Sequence, residues 1–182
     1  ATSNSQLGLF HMILGENAAA LAFANEALNQ FKQVQNKQGM ANALYTIGSV
    51  DYKTVNPHIG LEHLYDCLKL QKEINDFGGQ SKALKAIGHI YELFDEHEKA
   101  LETYVECREI SQLIGDKNGV SNACNPLSGL YLKKGDYENA LETINTSIKL
   151  KKETGDKRGL AFSWFGKGKI HLQLKEFDEA KK

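Results

Sequence analysis

The chain has few residues that interrupt helices and no pattern typical of a β-sheet. Its 182 residues include only two prolines, Pro57 and Pro126. No run of alternating Val, Ile and Thr bounded by turn dipeptides occurs, so strands are not expected. Because 41% of the residues are hydrophobic, the chain is too apolar to be disordered and long enough to build a core. The composition therefore predicts an all-α protein.

The chain also lacks an excess of charge and a long apolar segment. Its formal net charge is −1, which gives no field strong enough to recruit nucleic acid or an anionic membrane. No apolar stretch approaches the roughly 20 residues of a membrane span. Ala1–Gln6 lacks the basic and apolar regions of a signal peptide. We therefore expect a soluble, cytoplasmic protein whose partner is neither nucleic acid nor a membrane.

Motifs for catalysis and metal binding are equally sparse. The six histidines occur without a His-Glu-Xaa-Xaa-His sequence, and neither Cys-Xaa-Xaa-Cys nor an Asp-rich calcium loop is present. Cys67, Cys107 and Cys124 lack paired spacing, which fits a reducing compartment. We interpret Cys67 and Cys107 as buried thiols. The sequence predicts no catalytic residues, no metal site and no cofactor, so this chain by itself is not expected to be an enzyme.

A period of forty residues is the most informative feature that is present. The same residue type returns every forty positions at Gly39, Gly79, Gly119 and Gly159, without insertion or deletion. A second series contains Ala20, Ala100, Ala140 and Ala180, and a third contains Asn36, Asp76, Asp116 and Asp156. A fixed period of this length is typical of a solenoid, in which one structural element is copied along a line.

Each repeat divides into two helices. Apolar residues recur at three-and-four spacing, and Gly135-Asp136 supplies a turn followed by a helix N-cap. The spacing predicts first helices near Ser3–Leu14, Gly39–Lys53, Gly79–Phe94, Gly119–Lys133 and Gly159–Leu174. It predicts second helices near Asn17–Gln35, Pro57–Asn75, His97–Ile114 and Tyr137–Thr154. Pro126 falls inside a first helix, where a local bend is expected.

The residues of the third repeat resemble the tetratricopeptide repeat. They follow that family's order as Leu84, Ile87-Gly88, Tyr91, Ala100, Tyr104 and Cys107. The Gly-Asp-Lys-Xaa-Gly ending at Gly115–Gly119 is similar to the forty-residue subclass. That subclass occurs in Pins-type G-protein-signalling modulators and in bacterial regulators, cyclases and histidine kinases. The resemblance implies a right-handed superhelical solenoid of antiparallel helix pairs that acts as a scaffold.

The resemblance implies a single array over residues 1–182. The repeats are predicted at about 1–38, 39–78, 79–118, 119–158 and 159–182, the last of them incomplete. We expect a tenth helix to begin near Glu176, so that Glu176–Lys182 is weakly held and the chain is a piece of a longer protein.

The predicted binding surface is the concave wall that stacked first helices form with the face opposite their core positions. Asparagine amides can pair with an extended peptide, aromatic rings add apolar anchors, and Lys82 with Lys85 favours acidic side chains. The predicted groove residues are Asn42, Tyr45, Ser49, Tyr52, Lys82, Lys85, His89, Asn122, Asn125, Phe165 and Lys169. A bend at Pro126 is one way to widen the groove beside Asn122 and Asn125.

We interpret the chain as a scaffold that binds a protein or peptide segment of acidic, partly aromatic character. The expected context is the sensory or adaptor region of a larger bacterial signalling protein, such as a cyclase, histidine kinase or regulator. An alternative stays open, in which the array is structural and mediates self-association of an attached effector domain without a groove ligand. An enzymatic interpretation has little support, because no nucleophile, base and oxyanion donors can be assembled.

Overall fold

The computed structural model describes residues 1–54 and 56–180, with side chains up to residue 175. Within these ranges every regular element is an α-helix, as the sequence predicts. The helices are α1 (Thr2–Leu14), α2 (Asn17–Gln33), α3 (Lys37–Thr54), α4 (Pro57–Glu73), α5 (Phe77–Leu93), α6 (His97–Leu113), α7 (Lys117–Lys133), α8 (Tyr137–Thr154) and α9 (Lys157–Ala180). None of these helices has the length and apolar character of a membrane span.

The chain forms two compact units. The N-terminal unit, Ala1–Glu96, contains α1 to α5, and the C-terminal unit, His97–Lys182, contains α6 to α9. In both units every helix packs against the next one along the chain. First helices also lie side by side, α3 against α1 and α5, and α7 against α9. Because short turns join consecutive helices, neighbours form antiparallel pairs.

Asx caps and left-handed residues set the helix ends. Asn36, Asp76 and Asp156 each accept a hydrogen bond from the backbone N–H of the glycine three positions later, at 2.8 to 2.9 Å. The first helices of these repeats therefore begin two residues before the predicted glycines. The turns use left-handed backbone at Gly135 and also at non-glycine residues such as Asn75, which the sequence reading did not anticipate.

The recurring glycines mark places where helices approach closely. An ideal Cβ on Gly79 would lie 2.6 Å from Gln71 Nε2, and one on Gly119 would lie 2.5 Å from Ser111 Oγ. Gln71 and Ser111 are themselves forty residues apart, on the last turn of a second helix. The period of forty thus reflects a repeated contact between the start of a first helix and the end of the preceding second helix.

Other small residues also lie where helices pack closely. Ala20, Ala100 and Ala140 are fully buried. A Cβ on Gly48 would lie 2.9 Å from the carbonyl oxygen of Gly60 on α4. At Gly168 none of the described residues lies within 4 Å of the Cβ position. Its repeat has no second helix among the described residues, which is the element that crowds Gly48 in the second repeat.

The end of α9 differs from the predicted boundary. Helix α9 continues to Ala180, whereas the sequence predicts an end at Leu174 and a new helix near Glu176. The turn position that Gly135 occupies in the previous repeat is Lys175 here, and lysine rarely adopts the left-handed backbone of such a turn. The predicted weak attachment of Glu176–Lys182 lies outside the residues whose side chains and contacts the structure describes.

Pro126 lies within α7, which is helical without interruption from Lys117 to Lys133. Proline has no N–H, so the carbonyl of Asn122 loses its usual partner one turn earlier. The bend predicted at this position stays a prediction.

Two glycine-to-alanine variants, one at a close helix approach and one at an open position, test whether α3 and α4 approach closely at Gly60. A Cβ on Gly60 would lie 2.6 Å from the backbone nitrogen of Tyr52, which has no room to move aside. We expect Gly60→Ala to lower the free energy of unfolding by about 2 kcal/mol, since overpacking outweighs the gain in helix propensity. Gly129→Ala, where nothing lies within 4 Å, should raise it by about 0.5–1 kcal/mol. Urea denaturation of both variants measures the difference, and equal stability would contradict the close approach.

Candidate functional site

A cavity of about 370 Å³ opens on the side of the N-terminal unit where α1, α3 and α5 lie next to one another. Residues from all three first helices line it, together with the end of α4. The lining residues are Ser5, Gln6 and Leu9 from α1, Asn42, Tyr45 and Thr46 from α3, Gln71 from α4, and Asp76, Gly78, Gly79 and Lys82 at the start of α5.

Gln71 forms the buried floor of this cavity. The residue is 2% exposed, and its side-chain oxygen Oε1 has no hydrogen-bond partner among the described residues. Its backbone carbonyl is occupied, because it accepts from Asp76 N at 2.9 Å and from Gln80 Nε2 at 3.3 Å. The side-chain amide reaches this depth because Gly79 has no Cβ. Because Oε1 is itself shielded from solvent, this atom is not open to a molecule in the cavity.

Asp76 lies beside Gln71 and caps α5. Its Oδ1 accepts from Gly79 N at 2.9 Å, and its Oδ2 accepts from Gln38 Nε2 at 3.1 Å. The Gln38 amide also donates to Asn42 Oδ1 at 3.3 Å, which leaves the Asn42 Nδ2 group as a donor. The side chain of Lys82 is exposed on the first turns of α5. Asp76 and Lys82 thus give the cavity one negative and one positive charge.

Tyr45 provides an apolar wall with a polar tip. Burial raises the pKa of its phenol, and a hydrogen bond with Ser49 opposes that shift only in part. The phenol is therefore neutral near pH 7 and remains able to donate or accept. Thr46 is buried, and its Oγ1 donates to the backbone carbonyl of Asn42 at 3.2 Å.

The structure brings three of the seven groove residues predicted in this unit into the cavity, namely Asn42, Tyr45 and Lys82. Ser49 is buried beneath Tyr45. Tyr52 is half-buried, with its Cβ where a side chain on Gly60 would stand. Further along α5, Lys85 is half-buried and His89 is exposed, with His89 Nδ1 3.7 Å from Glu92 Oε1.

The predicted groove residues do not include Gln71, Asp76 or the α1 residues that line the cavity. The prediction assigned the groove to one face of each first helix and did not consider the last turn of a second helix. The signal was present, because position 71 lies eight residues before the periodic Gly79 and precedes the cap residue Asp76.

In the C-terminal unit, Asn122 and Asn125 bind other side chains of the same unit. Asn125 Oδ1 accepts from Ser147 Oγ at 2.9 Å and from Ser163 Oγ at 2.8 Å. Asn122 Oδ1 accepts from Lys151 Nζ at 3.0 Å. These contacts tie α7 to α8 and α9, so the two side-chain oxygens are already occupied.

Lys151 is a buried cation held by this network. Its side chain is 2% exposed and donates from Nζ to Asp156 Oδ2 at 3.1 Å. The pKa of Asp156 is lowered, first by the backbone N–H of Gly159 and then by the Lys151 ammonium. A buried charge needs such partners, because leaving it unpaired is costly.

Phe165 and Lys169 lie together on α9. Phe165 is 64% exposed, and Lys169 Nζ lies 4.6 Å from the centre of its ring. Trp164 precedes Phe165 in the same helix. The Nζ atoms of Lys152 and Lys167 lie 5.4 Å and 5.5 Å from the centre of the Trp164 ring. This helix therefore presents aromatic rings covered by ammonium groups.

Family models agree with the repeat geometry. The tetratricopeptide repeat model matches residues 121–154 and 163–182. A model described as anaphase-promoting complex subunit 5 matches residues 2–54 and 49–128, two overlapping stretches that together span more than half of the chain. Overlapping matches are what a repeated helical element produces on an array of repeats. The chain belongs to the tetratricopeptide repeat family.

Solved structures show the same tetratricopeptide-like fold. BtubC (BKLC) from P. vanneervenii matches with a TM-score of 0.82 and 15% identity, covering 98% of this chain and 74% of that one. The apo form of RapI matches with a TM-score of 0.82 and 15% identity, covering 98% of this chain and 68% of that one. A Rap protein complexed with competence and sporulation factor matches with a TM-score of 0.82 and 16% identity, covering 100% of this chain and 54% of that protein. A search of curated protein sequences found no match.

The cysteines of this tetratricopeptide repeat chain are packing residues. All three thiols are free and buried, and Cys67 Sγ donates to the carbonyl of Ala41 at 3.2 Å. Burial raises the pKa of Cys67 to about 12 and that of Cys124 to about 11. Both thiols are therefore protonated near pH 7 and poor nucleophiles. In the part of the chain that the structure describes, no group of three or more His, Cys, Asp or Glu side chains could hold a metal ion.

Asp156 makes the stability of the C-terminal unit depend on pH. Its folded-state pKa is lowered, so its contribution is full above the ordinary value of about 3.9 and is lost as the pH falls through the lowered pKa. We expect Asp156→Asn to be less stable than the native chain at pH 7 and to lose less stability on acidification. Thermal melts from about pH 6 to pH 2 measure both effects, over the range in which carboxylates become protonated.

Asp116 is the matched control for this prediction. It holds the equivalent cap position forty residues earlier, but its side chain makes no capping hydrogen bond. Asp116→Asn should therefore follow the native chain at every pH. If both variants show the native pH profile, Asp156 does not stabilise the fold through its charge.

Proposed function

We propose that this chain is a scaffold that binds a peptide or protein segment in the cavity between α1, α3 and α5. The observation that carries the proposal is the arrangement of Asn42, Tyr45 and Lys82 around a cavity whose floor is formed by the buried residue Gln71. A concave site with a few convergent polar groups and an apolar wall is the usual form of a ligand site. An extended segment gains affinity there by replacing water at these groups.

The chemistry of the rim favours a segment with acidic and aromatic residues. Lys82 and Lys85 lie three residues apart on α5 and attract carboxylates. Leu9 and the ring of Tyr45 provide apolar contacts. In the C-terminal unit, Phe165 and Lys169 are proposed as a separate contact surface, whereas Asn122 and Asn125 hold α7 to α8 and α9.

The proposed context is the sensory or adaptor region of a larger bacterial signalling protein in the cytoplasm, within the forty-residue subclass of the family. The likeness to RapI and to the Rap protein complexed with competence and sporulation factor supports this proposal. The first helices begin at intervals of forty residues, and this spacing supports the subclass. They start at Lys37, Phe77, Lys117 and Lys157. This chain spans about half the length of the complexed Rap protein, so the output of the whole protein is part of the proposal.

Self-association of an attached domain is the second candidate, and exposed apolar side chains favour it. On α1, Phe10, Ile13 and Leu14 are all more than half exposed. On α9, Phe162 and Phe165 are also more than half exposed. Exposed apolar patches on a soluble protein often mark an interaction surface. Sedimentation equilibrium of the full chain decides this candidate, because it requires a mass that rises with concentration.

Charge reversal at the rim tests the peptide proposal. Peptides are first selected on the full chain from a displayed random library, and a selected peptide is then titrated by fluorescence anisotropy. Lys82→Glu with Lys85→Glu should weaken binding by about 1–2 kcal/mol, roughly 5- to 30-fold, because two attractive contacts become repulsive. The effect should shrink at high salt, which screens exposed charges.

The control reverses two exposed lysines on second helices, Lys32→Glu on α2 with Lys69→Glu on α4. This variant should bind the peptide with native affinity, and both double variants should melt close to the native temperature. Peptides that lose affinity only with the α2 and α4 variant would place the binding surface on the opposite side. A library that yields no saturable binder would remove the peptide proposal altogether.

A further inference from the structure

Helix α9 exposes a strip of residues that equivalent helices bury. The α9 strip consists of Ala161, Trp164, Gly168 and His171, whose three-and-four spacing places them on one face of the helix. Trp164 is 48% exposed, and the other three residues are exposed as well. Counted in steps of forty, the first three positions are buried on both α3 and α7, as Ala41, Leu44 and Gly48 and as Ser121, Cys124 and Ser128.

A second helix covers this face in the earlier repeats. On α3, Cys67 Sγ of α4 donates a hydrogen bond to the backbone carbonyl of Ala41 at 3.2 Å. On α7, Ser147 Oγ of α8 donates in the same way to the backbone carbonyl of Ser121 at 3.0 Å. Cys67 and Ser147 are two steps of forty apart, so both pairs of helices use one docking geometry. The α9 strip presents the same face of a first helix.

The described part of the chain supplies no helix for the α9 strip. Helix α8 begins at Tyr137, and its equivalent would begin forty residues later, at position 177. That position lies inside α9, which continues without a turn to Ala180. The strip is therefore open to a helix from another molecule.

Two ammonium groups flank the indole ring in the α9 strip. The Nζ atoms of Lys152 on α8 and Lys167 on α9 lie 5.4 Å and 5.5 Å from the centre of the Trp164 ring. No carboxylate among the described residues forms an ion pair with either ammonium group. From residue 157 to residue 175, α9 contains five Lys or Arg residues and no Asp or Glu. The exposed ring therefore lies in cationic surroundings that attract a segment with carboxylates.

Lys167 shows that a wholly apolar helix does not fit this face. The equivalent residues Ile47 and Leu127 are at most 2% exposed, so a second helix normally buries this position. Lys167 is half-buried, and its Nζ donates to the neutral side-chain oxygen of Asn145 at 2.8 Å. An apolar helix placed over it would bury an ammonium group without a counter-ion, which is costly. A helix that fits must therefore bring a carboxylate.

We propose that the α9 strip docks an acidic amphipathic helix of a partner protein, which lies against α9 as α4 lies against α3. Apolar residues of this helix cover the ring of Trp164, its carboxylates pair with Lys152 and Lys167, and a small residue faces Gly168. Such a helix binds through anchors three and four residues apart. The site is in the C-terminal unit and is independent of the cavity in the N-terminal unit.

The fourth position of the strip also fits an acidic partner. On α3 this position is Asp51, which pairs with His63 Nδ1 of α4 at 2.8 Å. On α9 it is His171. A Glu or Asp at the place of His63 in the docked helix forms the same pair with the two residue types exchanged.

The fluorescence of Trp164 tests the proposal directly, because it is the only tryptophan of the chain. The full chain is titrated with two peptides of 18 residues, the length of α8, that contain no aromatic residue. Both carry the same face of Leu and Ala, flanked by Glu in one peptide and by Lys in the other. We expect the Glu peptide to shift the Trp164 emission to shorter wavelength in a saturable way, because the indole leaves water.

The Glu peptide should bind roughly 5- to 30-fold more tightly than the Lys peptide, the ratio for two exposed charge pairs that become repulsive. High salt should reduce this ratio. Lys152→Glu with Lys167→Glu should reverse the order of the two peptides. The matched control, Lys32→Glu with Lys69→Glu on second helices of the N-terminal unit, makes the same change in net charge and should keep the native order.

A glycine substitution tests the docking geometry apart from the charge. On α3, a Cβ on Gly48 would lie 2.9 Å from the carbonyl oxygen of Gly60 on α4. Gly168→Leu should therefore weaken binding of the Glu peptide by at least about tenfold, because the added side chain blocks the close approach. It should not lower the melting temperature, because no described residue lies within 4 Å of the Gly168 Cβ position. Gly129→Leu, at another open glycine, should keep the native affinity.

Three results would overturn the inference. The first is a Lys peptide that binds the native chain as tightly as the Glu peptide. The second is native affinity of Gly168→Leu for the Glu peptide. The third is an emission shift that appears when the chain alone is concentrated, together with a rising sedimentation mass, because a second copy would then cover the strip. These measurements do not involve the residues of the N-terminal cavity, so a failure of the proposed function would leave their outcome unchanged.

Discussion

The repeated approach of a first helix to the end of the preceding second helix sets the geometry of the chain. At Gly79 and Gly119 the space for a Cβ is filled by residues 71 and 111 of the previous helix. Without a Cβ at these glycines, the start of each first helix packs directly against a side chain at the end of the preceding second helix. In the N-terminal unit, the contact between Gly79 and Gln71 lies at the floor of the cavity.

The sequence predicts most of the fold because the signals that define it are local. Asp76 and Asn36 cap their helices through a backbone N–H three residues away, and such contacts can be read from spacing alone. The predicted end of α9 at Leu174 is wrong, because Lys175 stands where the previous repeat has a turn-forming glycine. There, the absence of a turn signal predicted the structure better than the period did.

The candidate site is less predictable because it depends on contacts between distant residues. The helical face of Asn122 predicts an open groove position, yet its partner Lys151 lies 29 residues further along the chain. Gln71 is on a second helix and becomes part of the cavity only because α5 begins directly against it. Helical spacing identifies a face of one helix, but it does not show which neighbouring side chain reaches across.

The residue that opposes the periodic glycine differs in every complete repeat, as Phe31, Gln71, Ser111 and Lys151, while the backbone around it is the same. The same position opposite the glycine therefore accepts four kinds of group: an aromatic ring, an amide, a hydroxyl and an ammonium. Changing this residue alters the polarity of a buried position without rebuilding a helix. Each repeat therefore carries a different side-chain chemistry at one buried position on a common backbone, and single substitutions suffice to change it.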